Sequence, residues 1–495
     1  MKSFTSTFSR RKLLLLGGAA LGTASLAGYA LLPNKAMASN HSAYMKPLAI
    51  PRLETGQMNG DVRTFGLSVQ TGMREFFDDL KTDTMGINGD YLGPVLRMRK
   101  GERVRLHVKN TLSIGTTLHW HGFNLPASTD GGPHQLIEPA ATWSPEFEVK
   151  EAASTMWYHS HVMHETASQV WAGLAGVIII DDDVADGLDL PSQYGVDDIP
   201  VILQDRRFYR DGSMPYERSM HDRMAGMTGN IPVINGTVLP YLETTTARVR
   251  LRLLNGANAS IYNLTFSDQR SFHQIASDGG LLAEPVELTQ LTLSPGERAE
   301  VIVDVSNGQK TMLKSVAAEL QAGMGRMMGE QSPIFDLLEI RPKAPVNAVT
   351  PLPEKLAELP AIDPGQVTKH RKFLLEMGGM MGGRGFTING QEMDMNRIDE
   401  VVKKGEVEIW TIQNAGPMRH PFHIHNTQFR ILSRDGRAPS PNEAGRKDTV
   451  LVDPGESVDI LVRFDHYTDA KRPYMYHCHI LEHEDAGMMG QFTVV

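Results

Sequence analysis

Three segments of the chain close in the same way. GERVRLHVKN (101–110), ARVRLRLLN (247–255) and GEVEIWTIQN (405–414) each read as an alternating strand that ends in asparagine. Each also follows an Asn-Gly pair, at Asn88-Gly89, Asn235-Gly236 and Asn389-Gly390. A Pro-Gly-Glu turn leads into a strand in SPGERAEVIVDV (294–305) and DPGESVDILVRF (453–464), and TWSPEFEV (142–149) holds the matching place in the first third. The unit recurs at roughly 150 residues, a spacing that means tandem domains rather than a solenoid. Alternating β-branched runs between Gly, Pro, Asn and Asp turns make each unit all-β, of the sandwich or barrel class, with helix confined to short pieces.

A chain of 495 residues accommodates about three such domains at roughly 100–200 residues each. The acidic, turn-rich stretch 181–198 and the proline-rich stretch 341–365 mark the boundaries. The expected organisation is a signal segment at 1–38, domains at 45–183 and 197–342, a linker at 343–366 and a third domain at 367–495. At the N-terminus, Arg10 and Arg11 precede an apolar run rich in glycine and small residues, and Ala36 to Ala38 supply a cleavage site. This reads as a twin-arginine export signal, with an uncleaved membrane anchor as the alternative. No other stretch approaches about 20 apolar residues, so a soluble periplasmic protein without stable membrane insertion is expected. The net charge of −9 comes without a basic patch, which argues against nucleic acid as a partner.

Four His-x-His pairs carry the chemistry: His119/His121, His159/His161, His423/His425 and His477/His479. On a strand, residues i and i+2 share a face, so each pair offers two imidazoles side by side. Two pairs lie in the first third and two in the last, while the middle third holds only the isolated His221 and His273. The eight imidazoles converge only if the first and third domains meet. Imidazole suits zinc, copper, iron and nickel alike. Cys478, the single cysteine, excludes an internal disulfide, and an exported free thiol needs something to hold it. Strand alternation points Cys478 away from His477 and His479, toward a separate metal. His420, His483 and Met488 stand nearby in sequence. A His₂Cys set with a distant methionine is the ligand set of a blue-copper site, whereas zinc prefers four closed N/S ligands.

Taken together, HWHG, WYHSH, HPFHIH and HCHILEHEDAGMM resemble the motifs of the multicopper oxidases, the family of laccases and copper-efflux oxidases, over essentially the whole mature chain. The resemblance implies three cupredoxin-like Greek-key β-barrels and four copper ions. It assigns a type 1 copper to His420, Cys478 and His483 with Met488 axial. It assigns the type 2 copper to His119 and His423, and the type 3 pair to His121, His159, His161, His425, His477 and His479. The implied reaction takes single electrons from a phenolic or cuprous donor and reduces O₂ to water, in a protein expected to be monomeric. Asp130 and Glu484 are the candidate proton-relay groups, ordinary carboxylates being the plainer reading of each.

Methionine is abundant, with 26 residues, and clusters at 220–227, 324–328 and 376–383, near Met393, Met395 and Met418. Thioethers select Cu(I), although methionine also fills core gaps. Against the copper-efflux oxidases the chain departs twice: the methionine- and histidine-rich insertion before Asn389-Gly390 is cut short, and Gly416 stands where those proteins have an aspartate. Both departures favour a laccase-like site open to organic donors. The competing readings are a copper carrier without O₂ chemistry, which the paired histidines oppose, and a structural relative serving cell division, which the filled ligand positions oppose. A copper nitrite reductase would lack the paired type 3 histidines.

Overall fold

The computed structural model describes residues 46–216, 218–317, 332–344, 350–359, 364–378 and 385–495. The signal segment, the methionine cluster at 324–328 and residues 379–383 of the next cluster lie outside these residues.

Six sheets fall into three pairs along the described chain. In the first unit, Val62–Phe77 runs parallel to Arg103–Asn110, with Glu146–Glu148 antiparallel on the other side. Asp198–Arg206, Arg248–Asn255 and Arg298–Asp304 repeat this arrangement in the middle unit. Val367–Met377, Val407–Asn414 and Ser457–Arg463 repeat it in the third. The recurrent sequence segments therefore occupy equivalent places, and the all-β expectation holds.

The recurrent asparagines have a common physical cause. Asn110 Nδ2 donates to the carbonyls of Ile114 and Ile137, both at 2.8 Å, while its Oδ1 accepts from Leu112 N at 2.9 Å. Asn255 does the same toward Ser260, Leu293 and Ala257, and Asn414 toward Met418, Val452 and Gly416. A buried amide satisfied in this way ties the end of the strand to the loops beside it. Asn88, Asn235 and Asn389 instead take φ of 55°, 50° and 54°, the left-handed region that asparagine tolerates.

Each unit closes over its own apolar core, centred on residues such as Trp120 and Tyr158, Leu253 and Phe266, and Trp410 and Phe492. A further cluster including Trp157, Trp171, Ile202 and Leu254 joins the first unit to the middle one. Leu356, in the proline-rich connection, packs with Leu282 and Ile302 of the middle unit. Lys46–Pro47 pairs with Pro240–Tyr241, which carries the start of the described chain onto the middle unit too. Among the described residues, no helix is long and apolar enough to cross a membrane.

The second sheet of the first unit aligns His119–His121 antiparallel to Ser154–His159, setting His121 opposite Trp157 and His119 opposite His159. In the third unit His420–Ile424 runs antiparallel to Asp469–Cys478, setting His423 opposite His477 and Phe422 opposite Cys478.

Candidate metal centres

The first and third units meet along their histidine strands. His119, His121, His159, His161, His423, His425, His477 and His479 are all buried there. His119 stacks on His425 with 3.9 Å between ring centroids, and His121 stacks on His423 at 3.7 Å. His161 meets His477 at 4.8 Å, and His479 meets His121 at 5.1 Å.

Their nitrogens divide into an outer and an inner set. His119, His159, His423 and His477 turn Nδ1 toward the carbonyls of Asp130, Ser160, Asp448 and Cys478, at 2.8–3.0 Å. His425 turns Nδ1 toward Asp130 Oδ2 at 2.8 Å. These bonds need Nδ1–H and leave Nε2 as a lone pair, the arrangement in which histidine ligates metals. Among the described residues, Nε2 of His119, His159 and His423, Nδ1 of His121 and both nitrogens of His479 have no hydrogen-bond partner. The Nε2 atoms of His161 and His425 face Nε2 of His477 at 3.2 and 3.3 Å. A buried polar atom left unpaired costs about 1–3 kcal/mol, and cations taking the lone pairs would remove that cost. Three histidine triads hold their ligand atoms within 4.8 Å of one another: His119/His423/His425, His119/His121/His159 and His161/His425/His477. Burial and neighbouring imidazoles hold His119, His121, His423 and His425 well below the ordinary histidine pKa, and burial pushes His159 down to about 3. The neutral rings that result are the ligating form.

A second centre lies on the other face of the same strand. Cys478 points into the apolar core of the third unit. Its Sγ lies 3.4 Å from His420 Nδ1 and 3.7 Å from His483 Nδ1, and the three form a further ligand group. Burial pushes the Cys478 thiol pKa well up, so a thiolate there depends on a cation. Met488 is buried beside them, its N–H bonded to His483 O at 2.9 Å and its carbonyl to Cys478 N at 3.0 Å. His483 Nε2 donates to the carbonyl of Met224 at 3.0 Å, and Phe386 stacks on the ring at 4.2 Å. Met224 belongs to the short helix Met220–Ala225 of the middle unit, capped by Ser219. This methionine segment therefore meets the centre through its backbone, while the Met224 side chain packs on the apolar core. His420 Nε2 is buried without a partner among the described residues, under Gly416, where a Cβ would stand 3.3 Å from it.

The two candidate relay acids both border the histidine cluster. Asp130, bonded to His425, has its other oxygen 3.7 Å from His119 Nδ1, and burial raises its pKa. Gly131 follows at φ 79° because a Cβ there would fall 1.9 Å from the Leu118 carbonyl. The two oxygens of Glu484 each lie 3.2 Å from an Nδ1, one of His161 and one of His477.

A third carboxylate carries no mark in the sequence. Asp448 Oδ1 accepts from His121 Nε2 at 3.0 Å and lies 3.6 Å from His423 Nδ1, which completes a further ligand-sized group with those two histidines. The middle unit contributes as well: Gly296 sits at φ 87° directly over the His479 ring. Only an acid heading a β-branched strand in KDTVLV hints at Asp448, and nothing local hints at Gly296.

Comparison with known proteins identifies the family. Residues 68–185 and 366–495 match two family profiles, both described as multicopper oxidase. A multicopper oxidase, mco, from Staphylococcus aureus is 36% identical over 460 residues, covering 92% of this chain and 94% of the relative. The cell division protein FtsP of Escherichia coli is 35% identical over 495 residues, covering 99% of both. Among solved structures, the laccase-like multi-copper oxidase CueO from Ochrobactrum sp. superposes with a TM-score of 0.83 at 39% identity, covering 91% of this chain and 100% of that one. With histidine-bearing strands in the first and third cupredoxin-like units, the chain belongs to the multicopper oxidase family.

Proposed function

We propose that the protein is an exported, O₂-reducing oxidase that binds four copper ions. His420, Cys478 and His483, with Met488, would hold the ion that accepts electrons from the donor. His119 and His423 would hold a second, and His121, His159, His161, His425, His477 and His479 the remaining pair. When bound, copper supplies one-electron redox chemistry and, at the three-ion cluster, the means to gather four electrons for reduction of O₂ to two waters. The observation that carries this reading is the three buried histidine triads, drawn from the first and third units, whose ligand atoms lie within 4.8 Å of one another.

The chain's own groups fit that task. Cys478 lies between His477 and His479 in sequence, so a few covalent bonds connect the two centres. Asp130 orients His425 and is poised to hold a proton beside the cluster. Glu484 touches ligands from both units and is placed to pass protons between them. Gly416 leaves His420 Nε2 beneath bare backbone, which favours a phenolic or other aromatic donor over a cuprous ion that a carboxylate would attract. The twin-arginine segment supports periplasmic delivery, and the intervals 45–183, 197–342 and 367–495 are proposed as the three domains.

The full-length similarity to FtsP supports a second reading, a non-catalytic part in cell division. One experiment separates the two: O₂ uptake by copper-loaded protein, with a simple phenol and with chelated Cu(I) as alternative donors. Uptake with either donor supports the oxidase. No uptake from fully loaded protein leaves the structural reading.

A further inference from the structure

The middle unit supplies none of the proposed copper ligands, yet its Arg298 reaches the histidine cluster. The guanidinium is fully buried. Each of its five N–H groups has an acceptor. Nη1 and Nη2 donate to the two oxygens of Asp448, at 2.7 and 2.6 Å. Nε donates to the Thr155 carbonyl, and the remaining Nη1 and Nη2 protons go to the carbonyls of Gly296 and Asp278, all at 3.0 Å. Thr155 belongs to the first unit and Asp448 to the third, so one side chain ties three units together. The site is built around this clamp. Gly122, which follows His121, takes φ 94° because a Cβ there would fall 2.7 Å from Asp448 Oδ2 and 2.8 Å from Arg298 Nη2.

The consequence falls on His121. His119, His159 and His423 give Nδ1 to a carbonyl and keep Nε2 for the cluster. His121 does the reverse: Nε2 faces Asp448 Oδ1 at 3.0 Å, and Nδ1 is the nitrogen without a partner. A carboxylate accepts only, so Nε2 must carry the hydrogen. We infer that Arg298 is a positioning residue of the trinuclear site: by fixing Asp448 in one orientation, it sets the tautomer of His121 and turns Nδ1 of that ring inward. The inference builds on the copper reading above, but its first step concerns the protein alone. A lysine in place of Arg298 would keep the charge but offer three donors without the planar fork that grips both oxygens.

The test uses the full chain, as wild type, Arg298→Lys and Asp448→Asn. In copper-free wild type labelled with ¹⁵N-histidine, His121 is expected as the Nε2–H tautomer; an Nδ1–H tautomer overturns the inference and leaves the copper reading untouched. After copper loading, Arg298→Lys is expected to keep the blue band of the Cys478 centre and the donor KM. Its type 2 paramagnetic resonance signal should change through His423, whose Nδ1 bonds the Asp448 carbonyl and lies 3.6 Å from its Oδ1, and kcat should fall about 10–100-fold, the usual range for loss of an outer-shell partner. Asp448→Asn should show the same pattern and serves if the lysine variant does not fold. Unchanged resonance and kcat in a folded variant refute the positioning role. Copper-loaded wild type without a type 2 signal instead refutes the copper reading, and the tautomer still judges the clamp.

Discussion

Gly296→Ala is the sharpest test of whether the middle unit shapes the histidine cluster. The added methyl would stand 2.9 Å from His479 Cδ2 and 3.0 Å from both Cγ and Nε2. Ordinary carbon contacts lie at about 3.5–4.0 Å, so the ring must retreat by roughly 0.5–1 Å. Its other sides are occupied, with centroids of His121 at 5.1 Å, His159 at 5.4 Å and Trp157 at 5.5 Å. The backbone at φ 87° adds strain of about 1–2 kcal/mol for any side chain. Overpacking adds about 1–3 kcal/mol if the ring does not yield. A yielding ring leaves the tolerance of roughly 0.5 Å that a ligand site allows. The assay is copper content and O₂ turnover beside the intensity of the blue band. The variant should keep the blue band, because Cys478 faces the other side of its strand, while O₂ turnover falls about 10–100-fold. Full copper content and wild-type turnover in Gly296→Ala would refute the claim that the close approach positions His479.

Other consequences are open to single experiments. Cys478→Ser should abolish both the blue band and donor oxidation; a surviving band would place the electron-accepting copper elsewhere. Gly416→Asp sets a carboxylate against His420 Nε2, and a charged hydrogen bond of about 1.5–3 kcal/mol should shift the ratio of phenol to Cu(I) oxidation about tenfold or more toward Cu(I); an unchanged ratio removes Gly416 as a specificity determinant. The Glu300 carboxyl, although burial alone would raise it, is brought down to about 2 by the Arg250 and Arg252 guanidiniums. Its stabilisation is present above the unfolded value near 4.5 and is lost as pH falls toward 2, a change of about 3 kcal/mol. Acid denaturation of Glu300→Gln should therefore lack that dependence, and a titration identical to wild type would contradict the assignment.

What the sequence revealed follows the reach of its periodicities. A strand repeats every two residues, so His-x-His places two rings on one face and turns Cys478 to the other, and both readings need no tertiary knowledge. The thrice-repeated asparagine marked equivalent strands because part of its staple closes locally, Asn414 reaching Met418 only four residues on, although its other carbonyl partner, Val452, is 38 residues away. The groups that escaped act across long separations. Arg298 and Asp448 are 150 residues apart, and Gly296 meets His479 from a different unit. No local pattern distinguishes such residues from turn or surface positions. The methionine segment 220–227 shows how little composition says of a residue's role. Its composition suggests soft metal ligands, but Met224 serves through a backbone carbonyl that any residue could supply.

On the proposed function, buried imidazoles from two units gather enough copper to take O₂ to water in one site. Electron and oxygen stoichiometry on the copper-loaded protein tests it most directly, measured together with hydrogen peroxide. Four donor electrons should be consumed for each O₂, with no peroxide released and with the rate lost when copper is removed. Two electrons per O₂ with peroxide accumulating, or no uptake from protein carrying its full copper complement, would contradict it.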